Sequence, residues 1–232
     1  MTGTLINAGA IVIAGIIGLF LKKGIPDNIS RTIQDGLGVL VIIIGIQCAL
    51  QGENYALIGV SLALGAVIGE WRRWDERLNE LGRKFEKRLM GESESQFVKG
   101  FVSATLLFCI GAMAIIGALE DGLNGNYQIL LVKSMLDGIF SLIFAASMGL
   151  GVIFSAIPVL IYQGGISLAA GLIKPLLNDA ILNNITAVGG VLIAVLGINL
   201  TGLKEIKVAN LLPAVFLVPI FMLILGWVGM RI

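Results

Sequence analysis

The chain has 232 residues, of which 57% are hydrophobic and 13% charged, and 31 are glycine. Soluble domains carry roughly a quarter charged residues, so this composition, with a mean hydropathy of +0.96, predicts an integral membrane protein. The absence of histidine excludes a histidine-ligated metal, a Ser/His triad and an imidazole proton relay. The net charge of +1 leaves no basic surplus, so we expect no nucleic-acid partner.

The two cysteines, Cys48 and Cys109, lie inside apolar runs and have no neighbour at metal-ligand spacing. They are typical of small buried apolar residues rather than of a disulfide framework or a metal site. No nucleophile with an adjacent base is visible either. The sequence therefore predicts no cofactor and no enzyme; an enzyme would have to rely on the carboxylates of Asp35 and Asp137 alone.

Several uncharged runs are long enough to cross a bilayer, which takes about 20 apolar residues. They occupy residues 4–21, 36–52, 54–69, 100–119, 138–173, 180–203 and 208–230. The fifth run is too long for one crossing and slightly short for two, but its helix can begin earlier, near Tyr127. The segment then makes two crossings, about 127–148 and 150–172, with a turn at Gly149-Leu150-Gly151. The sequence thus predicts an all-α polytopic bundle of about eight spans, or seven if 150–172 is re-entrant.

Lysine and arginine predict the orientation, because cytoplasmic loops are enriched in both. Of the 16 basic residues, those in the loops on one side include Lys22, Lys23, eight residues between 72 and 99, and Lys207. The opposite loops hold only Lys174 and Arg231, together with acidic residues that include Glu120 and Asp121. We expect the loop at 70–99 to be cytoplasmic and both termini to be outside.

The segment at 70–99 is the most charged part of the chain. Within it, apolar residues recur at three- and four-residue spacing, at Leu78, Leu81, Phe85 and Leu89. This pattern predicts an amphipathic helix along the inner membrane surface, with its apolar stripe on lipid. The same helix also suits docking of a partner or sensing of the bilayer, although mixed charges are ordinary in a solvated connector.

Short motifs recur in the two halves of the chain. Ile16-Ile17-Gly18 returns at 115–117, and Asp35-Gly36 returns at Asp137-Gly138. The motifs mark two three-helix units, 1–69 and 100–173, which would begin on opposite sides of the membrane. They therefore predict an inverted repeat, an architecture of secondary transporters. The predicted organisation is 1–69 and 100–173 as three-helix units, 70–99 as the cytoplasmic helix, and 180–232 as a C-terminal hairpin.

Lys133 and Asp137 are the most unusual residues within a predicted span. They are four residues apart, so they share one helix face, and Asp137 lies close to the midplane. A carboxylate there costs at least about 3 kcal/mol to insert, and such groups commonly mark ion or substrate routes. Asp137 is either an ion site modulated by Lys133 or half of a structural pair. Asp35 is its predicted counterpart in the first repeat.

A second polar candidate lies in the stretch PVLIYQGGIS at 158–167. It places Tyr162 and Gln163 before Gly164 and Gly165 in one span. The two glycines either open the helix, so that carbonyl groups face a cavity, or sit in a kinked helix near the outer interface.

Long motifs carry a family resemblance. They are FCIGAMAIIGALEDGLNGNYQILLVKSMLDGI at 108–139, GVIFSAIPVLIYQG at 151–164, GAVIGEW at 65–71, TAVGG at 186–190 and KVANLLPA at 207–214. In these the chain resembles the YqgA/YdfK-like family of uncharacterised prokaryotic multi-pass membrane proteins. The resemblance covers nearly the whole chain and implies a location in the bacterial inner membrane, but no substrate.

Two functions follow as hypotheses. The first is a small secondary transporter or channel for an ion or small solute, in which Asp137 binds, Lys133 modulates it and residues 162–165 line the route. The second is a non-transporting membrane protein whose cytoplasmic helix binds a partner or senses the bilayer. Eight short spans make a thin wall around a pathway, so the first hypothesis includes a homodimer in membrane lipid.

Overall fold

The fold is known from a computed structural model, which describes residues 1–22, 26–90 and 95–227. Lys23 and Arg231 of the charge count lie outside the described residues, as does the side chain of Leu89. The helices are α1 (Thr2–Lys22), α2 (Asp27–Ala49), α3 (Tyr55–Arg72), α4 (Trp74–Met90), α5 (Ser95–Cys109), α6 (Ala112–Asn124), α7 (Gln128–Met148), α8 (Gly151–Phe154), α9 (Ala156–Leu168), α10 (Ala170–Ile173), α11 (Asp179–Leu200) and α12 (Pro213–Trp227).

The predicted all-α membrane architecture is confirmed. Within the described residues, seven helical segments are long and apolar enough to cross a membrane, and the bent pair formed by α5 and α6 makes a possible eighth. The predicted turn at Gly149 is also present, with a positive φ of 86° that favours glycine. Large apolar side chains remain exposed on these helices, as expected for surfaces that face lipid.

The seven-span alternative was assigned to the wrong segment. Residues Gly151–Leu168 qualify as an ordinary span, whereas the predicted span at 100–119 is bent by 63° between α5 and α6. The bend lies at Ile110 and Gly111, where Gly111 has a φ of +138°. A side chain with a Cβ rarely adopts that conformation, so glycine is what permits the break.

The chain forms two compact units, each discontinuous in sequence. Unit 1 contains residues 1–36, 78–109 and 113–174, and unit 2 contains 37–77, 110–112 and 175–232. The predicted units were continuous stretches related by an inverted repeat. That repeat stays a prediction.

Unit 1 is built around a close contact between α1 and α7. The two helices run in the same direction, because Gly3 lies against Leu130 near both helix starts and Gly18 lies against Leu142 further along. A Cβ added at Gly18 would overlap the carbonyl group of Leu142. Glycine at this position therefore allows the two backbones to touch, as small residues commonly do between membrane helices.

Helix α4 uses its apolar stripe within unit 1. Phe85 packs against Phe101 of α5 and Phe154 of α8, with ring centroids 5.9 and 6.2 Å apart. Gly82, one turn earlier, lies close to Phe101 and Val98. The expectation that the whole stripe rests on lipid is therefore wrong at Phe85, although Leu81 remains 46% exposed.

Unit 2 also depends on glycine contacts. In α2 and α11, Gly45 meets the backbone at Gly190, and Gly38 meets it at Gly197. These two helices run in opposite directions, since the contact of α11 moves back from Gly197 to Gly190 as that of α2 moves forward from Gly38 to Gly45. Helix α3 packs in the same way on α12, where Gly65 lies against Ala214.

Candidate functional site

Helix α7 has one buried and one exposed face. The buried face carries Lys133, Ser134, Asp137 and Ser141, whereas Val132, Met135, Leu136 and Ile139 are exposed. The two sets alternate with the helical period, so the polar side chains face the interior of unit 1 and the apolar ones face lipid. Both ionisable groups of α7 are thus kept away from hydrocarbon.

Lys133 and Asp137 form an ion pair on this buried face. The Lys133 Nζ lies 2.6 Å from the Asp137 Oδ2, and each side chain is only 8% exposed. Asp137 is the tenth residue of a 21-residue helix, which places it about 14 Å from the helix start and close to the middle of the span. The predicted shared face is confirmed, whereas the predicted depth in the membrane stays a prediction.

Asn7 of α1 connects this pair to α9. Its Nδ2 donates to the Asp137 Oδ2 at 2.9 Å and to the Gln163 Oε1 at 3.3 Å. Both Asn7 and Gln163 are fully buried. We call Asn7, Lys133, Asp137 and Gln163 the polar cluster; it joins α1, α7 and α9 inside unit 1.

The polar cluster is incompletely hydrogen-bonded. The Asn7 Oδ1 and the Gln163 Nε2 have no hydrogen-bond partner among the described residues. A buried amide group without a partner typically costs about 1–3 kcal/mol, and each such group in a native protein calls for a reason. One acceptor and one donor are therefore available in the same place to a polar ligand or water.

Asp121 forms a second buried polar contact, at the start of α1. Its Oδ2 accepts hydrogen bonds from the backbone nitrogens of Gly3 at 3.0 Å and Thr4 at 3.4 Å. The amino group of Met1 lies 3.1 Å from its Oδ1. A carboxylate is well suited to a helix N-terminus, whose N–H groups are free and carry partial positive charge. The sequence prediction had placed Asp121 in an outside loop, but it lies within α6 and is 3% exposed.

The predicted site residues divide into two groups. Lys133, Asp137 and Gln163 meet in the polar cluster, as described above. Tyr162 is half-buried, near Cys109 at the end of α5, and Gly164 is buried beside Met1. Gly165 is exposed with open space where a Cβ would be, and Asp35 is exposed on α2. The structure does not bring Asp35 to Asp137.

The predicted opening of the helix at Gly164 and Gly165 is wrong. Helix α9 continues without interruption from Ala156 to Leu168, and the turns on either side of it lie at Ser155 and Ala169. Two glycines lower helix propensity, but α9 packs against α1 and α5, and such contacts outweigh propensity. Gln163 thus contributes a side-chain amide to the cluster, and no backbone carbonyl groups are freed beside it.

Asn7 was missed in the sequence analysis. It is the sole amide side chain of α1, in a helix that is otherwise apolar apart from two threonines and the terminal Lys22. A single amide in a span commonly forms a hydrogen bond to another helix, and this pattern could have identified Asn7 as a candidate. Its partner lies 130 residues away in the chain, however, so only the structure identifies it.

Unit 2 contains a different polar group, at one end of α3. Glu70 accepts hydrogen bonds from the Lys207 Nζ at 2.8 Å and the Asn210 Nδ2 at 2.5 Å. The hydrogen bond to Glu70 raises the pKa of Lys207. A cavity of about 580 Å³ lies beside them, with walls that include Val67, Lys204 and Leu211. All of its walls belong to unit 2, so it does not contain Asp137.

Asn199 has a defined role in unit 2. Its side chain donates to the carbonyl oxygen of Ile206 at 2.7 Å and accepts from the Ile206 nitrogen at 2.9 Å. It thereby holds the loop between α11 and α12. Over the residues that the structure describes, no group of three carboxylate or cysteine side chains is arranged to hold a metal ion.

Known proteins with similar sequences extend over the whole fold. Residues 2–223 match the model of a family described as "Protein of unknown function (DUF554)". The chain belongs to this family. It is 35% identical over 235 residues to the "Uncharacterized membrane protein YdfK" of Bacillus subtilis (strain 168), with all of both chains covered. It is 32% identical to the "Uncharacterized protein YqgA" of Escherichia coli (strain K12), with 93% of each chain covered. No solved structure matches.

These relatives confirm the resemblance drawn from the sequence motifs, and the name of the first describes a membrane protein. Because full-length chains are aligned, the polar cluster and the two units belong to a region that the family shares. The names of the relatives specify neither a substrate nor an orientation.

Proposed function

We propose that this family member is a small secondary transporter or channel for an ion or small solute in the bacterial inner membrane, with Asp137 as the ion-binding group. The observation that carries the proposal is the polar cluster. It buries an ion pair near the middle of a span and leaves an amide acceptor and an amide donor unpartnered beside it.

The energetic argument favours function over a structural role. Replacing a buried ion pair by apolar residues of similar volume is often neutral or stabilising, so such a pair is weak support for stability. In a bilayer the insertion cost is greater still, and ionisable residues inside spans usually serve transport. A pair that contributes little stability, yet lies among incompletely bonded amides, is suited to exchanging its partner.

The geometry suggests how the exchange would work. Lys133 and Asn7 both approach the same Asp137 oxygen, at 2.6 and 2.9 Å. A cation or proton that binds Asp137 competes with the Lys133 ammonium for that oxygen. Withdrawal of Lys133 then opens the site, and its return releases the ion. Lys133 would thus act as an internal counter-ion, and Gln163 would orient Asn7.

Helix directions in unit 1 support eight spans. The bent pair of α5 and α6 begins where Gln96 bonds to Lys22 at the end of α1, and it ends where Asp121 bonds to the start of α1. It therefore extends along the whole of α1, as a crossing segment would. With eight crossings and the charged loop at 70–99 in the cytoplasm, both termini would be outside, in agreement with the lysine and arginine distribution.

The inverted repeat and the homodimer belong to the same proposal. An inverted repeat would give the two opposite conformations that alternating access requires. A second copy would widen the wall around a pathway that eight short spans enclose poorly. Exposed apolar residues on α7, such as Met135 and Ile139, provide a surface that either lipid or a second copy can cover.

The partner-binding hypothesis for α4 has less support. Its apolar stripe is partly used inside unit 1, where Phe85 contacts Phe101 and Phe154. What remains for a partner is the charged face, and mixed charges on an exposed helix are ordinary.

Flux measurements in proteoliposomes test the proposal. Internal pH and currents are recorded under imposed proton, sodium and potassium gradients for the native chain, Asp137→Asn and the control Glu70→Gln. Glu70 also pairs with a lysine but is exposed. We expect flux from the native chain and from Glu70→Gln, and its loss in folded Asp137→Asn. Equal flux in Asp137→Asn, or none from folded native protein under any gradient, would overturn the proposal.

A further inference from the structure

Unpartnered polar atoms in unit 1 continue from the polar cluster toward the start of α1. The Thr4 Oγ1, Asn7 Oδ1, Gln163 Nε2 and Ser167 Oγ have no hydrogen-bond partner among the described residues. All four residues are buried, with 5% exposure at Ser167 and none at the others. We call these four residues the access row.

The access row is ordered along two helices. Thr4 and Asn7 are three residues apart on α1, and Gln163 and Ser167 are four apart on α9, so each pair lies on one helix face. The two faces meet where Asn7 bonds to Gln163. The antiparallel direction of α9 brings Thr4 and Ser167 toward the same end.

Asp121 lies at the far end of the access row. Its carboxylate bonds to the backbone nitrogen of Thr4, and the next residue, Gly122, contacts the backbone of Ser167. Beyond Asp121, the helix ends with exposed residues such as Asn124. Polar groups therefore continue from an exposed helix end to the ion pair at mid-span.

The opposite half of the same helices is different. Beyond Asp137, the Ser141 Oγ donates to the Ile11 carbonyl oxygen at 2.7 Å, and Ser155 donates to the Val152 carbonyl oxygen at 2.6 Å. The backbones of α1 and α7 are in contact there at Gly18 and Leu142. Thr105 of α5 also lacks a described partner, but it lies outside α1, α7 and α9. The hydroxyl hydrogens of Ser141 and Ser155 are therefore already bonded within the protein, unlike the polar atoms of the access row.

We propose that the access row is the route by which water and protons reach Asp137 from the Asp121 end, so that the ion of the proposed function is the proton. Buried water typically makes about three hydrogen bonds to polar groups that otherwise lack partners, and the row supplies both donors and acceptors at intervals of about 5–6 Å. A proton passes from hydronium to the Asp137 carboxylate, which leaves water and a carboxyl group. Lys133 keeps its protons and loses its counter-charge.

This inference rests on the proposed function, so its test includes a measurement that does not require transport. In a background of Cys48→Ala and Cys109→Ala, single cysteines are introduced as Ser167→Cys, Thr4→Cys and the matched control Ser141→Cys. Silver ion, a small thiol-reactive cation, is added to one side of vesicles. The unreacted thiols are then labelled after denaturation. Asn124→Cys, on an exposed residue, reports which side faces the silver ion.

We expect Ser167→Cys and Thr4→Cys to react from the Asp121 side at least about tenfold faster than Ser141→Cys, because thiol reactivity follows access. If one of the first two variants does not fold, the other retains the test. Rates equal to that of Ser141→Cys, or faster reaction from the opposite side, would overturn the access row. Sodium or potassium flux that proceeds without proton movement would overturn the assignment of the proton.

The two proposals fail in different ways. Fast reaction of Ser167→Cys without any flux would overturn the transport function but would leave the access row supported. Proton flux that depends on Asp137, combined with slow reaction of both cysteines, would overturn the access row alone.

Discussion

The two lysine–carboxylate pairs of this chain have the same chemistry in opposite surroundings. Lys133 and Asp137 are 2.6 Å apart, and each side chain is 8% exposed. Lys207 and Glu70 are 2.8 Å apart, but their side chains are 53% and 61% exposed. The exposed pair sits in solvent at a helix end, where an ion pair is easily accommodated and contributes little.

The difference in exposure shows which of the two ion pairs needs a functional explanation. Water screens the Lys207–Glu70 pair, so its presence says little about function. The Lys133–Asp137 pair is shielded from bulk solvent, and its neighbours Asn7 and Gln163 do not satisfy each other completely. A fold selected only for stability would place leucine there, as on the rest of the span.

Removal of Lys133 should have the largest effect on the free energy of unfolding. Lys133→Met leaves Asp137 buried without its cation, and we expect the free energy of unfolding to fall by about 3–5 kcal/mol. Unfolding in mixed detergent micelles measures the change. The control Lys207→Met removes the lysine of the exposed pair and should leave stability unchanged. Similar losses in both variants would show that burial does not separate the pairs.

Helix contacts sharpen the same contrast between buried and open positions. A Cβ at Gly18 would overlap the Leu142 carbonyl, whereas a Cβ at Gly9 of the same helix meets nothing within 4 Å. We expect Gly18→Ala to lower the free energy of unfolding by about 1–3 kcal/mol through overpacking. Gly9→Ala should be neutral or slightly stabilising, since alanine favours helix. An equal effect at both positions would argue against the α1–α7 contact.

The packing of α4 provides a smaller effect. Phe85→Ala removes two aromatic contacts, with Phe101 and Phe154. Aromatic pairs add about 0.5–1.5 kcal/mol each beyond area burial, so we expect a modest loss of stability and faster proteolysis at residues 74–90. Leu81→Ala, on the more exposed part of the stripe, is the control. If Leu81→Ala has the larger effect, the stripe rests on lipid instead.

The exposed pair gives the smallest effect. We expect Glu70→Gln to leave stability and flux unchanged at neutral pH, because solvent screens the pair. The pKa of Lys207 is raised by its hydrogen bond to Glu70. Whatever stability this bond adds is present below the ordinary lysine pKa and is lost as the pH rises through the raised value. Unfolding of the native chain and of Glu70→Gln, measured from neutral to alkaline pH, checks this. A difference between them that grows as the pH rises through the raised value would contradict the sign.

The sequence predicts contacts within one helix more readily than contacts between helices. Lys133 and Asp137 are four residues apart, so helical geometry alone determines that they meet. Asn7 bonds to Asp137 across 130 residues of chain and to Gln163 across 156, which no local pattern encodes. The sequence places Asp121 in a loop for the same reason, because its partners Gly3 and Thr4 lie 118 and 117 residues away in the chain.

The span count illustrates a second limit. Apolar runs identify spans because the bilayer requires them, and all seven long candidates were predicted. The bend at Gly111 was not predicted, since the run at 100–119 contains two other glycines, Gly100 and Gly117, and only the backbone conformation distinguishes Gly111. The Gly164-Gly165 pair looked like a stronger break, yet packing keeps α9 helical.

The double variant Lys133→Met/Asp137→Leu tests the central claim most directly, because it removes both charges without leaving either one unpaired. Its free energy of unfolding and its ion flux are measured together, beside the native chain. We expect stability within about 1–2 kcal/mol of the native value and complete loss of flux. Flux at the native rate from the folded double variant would contradict it and would make the buried ion pair a structural contact only.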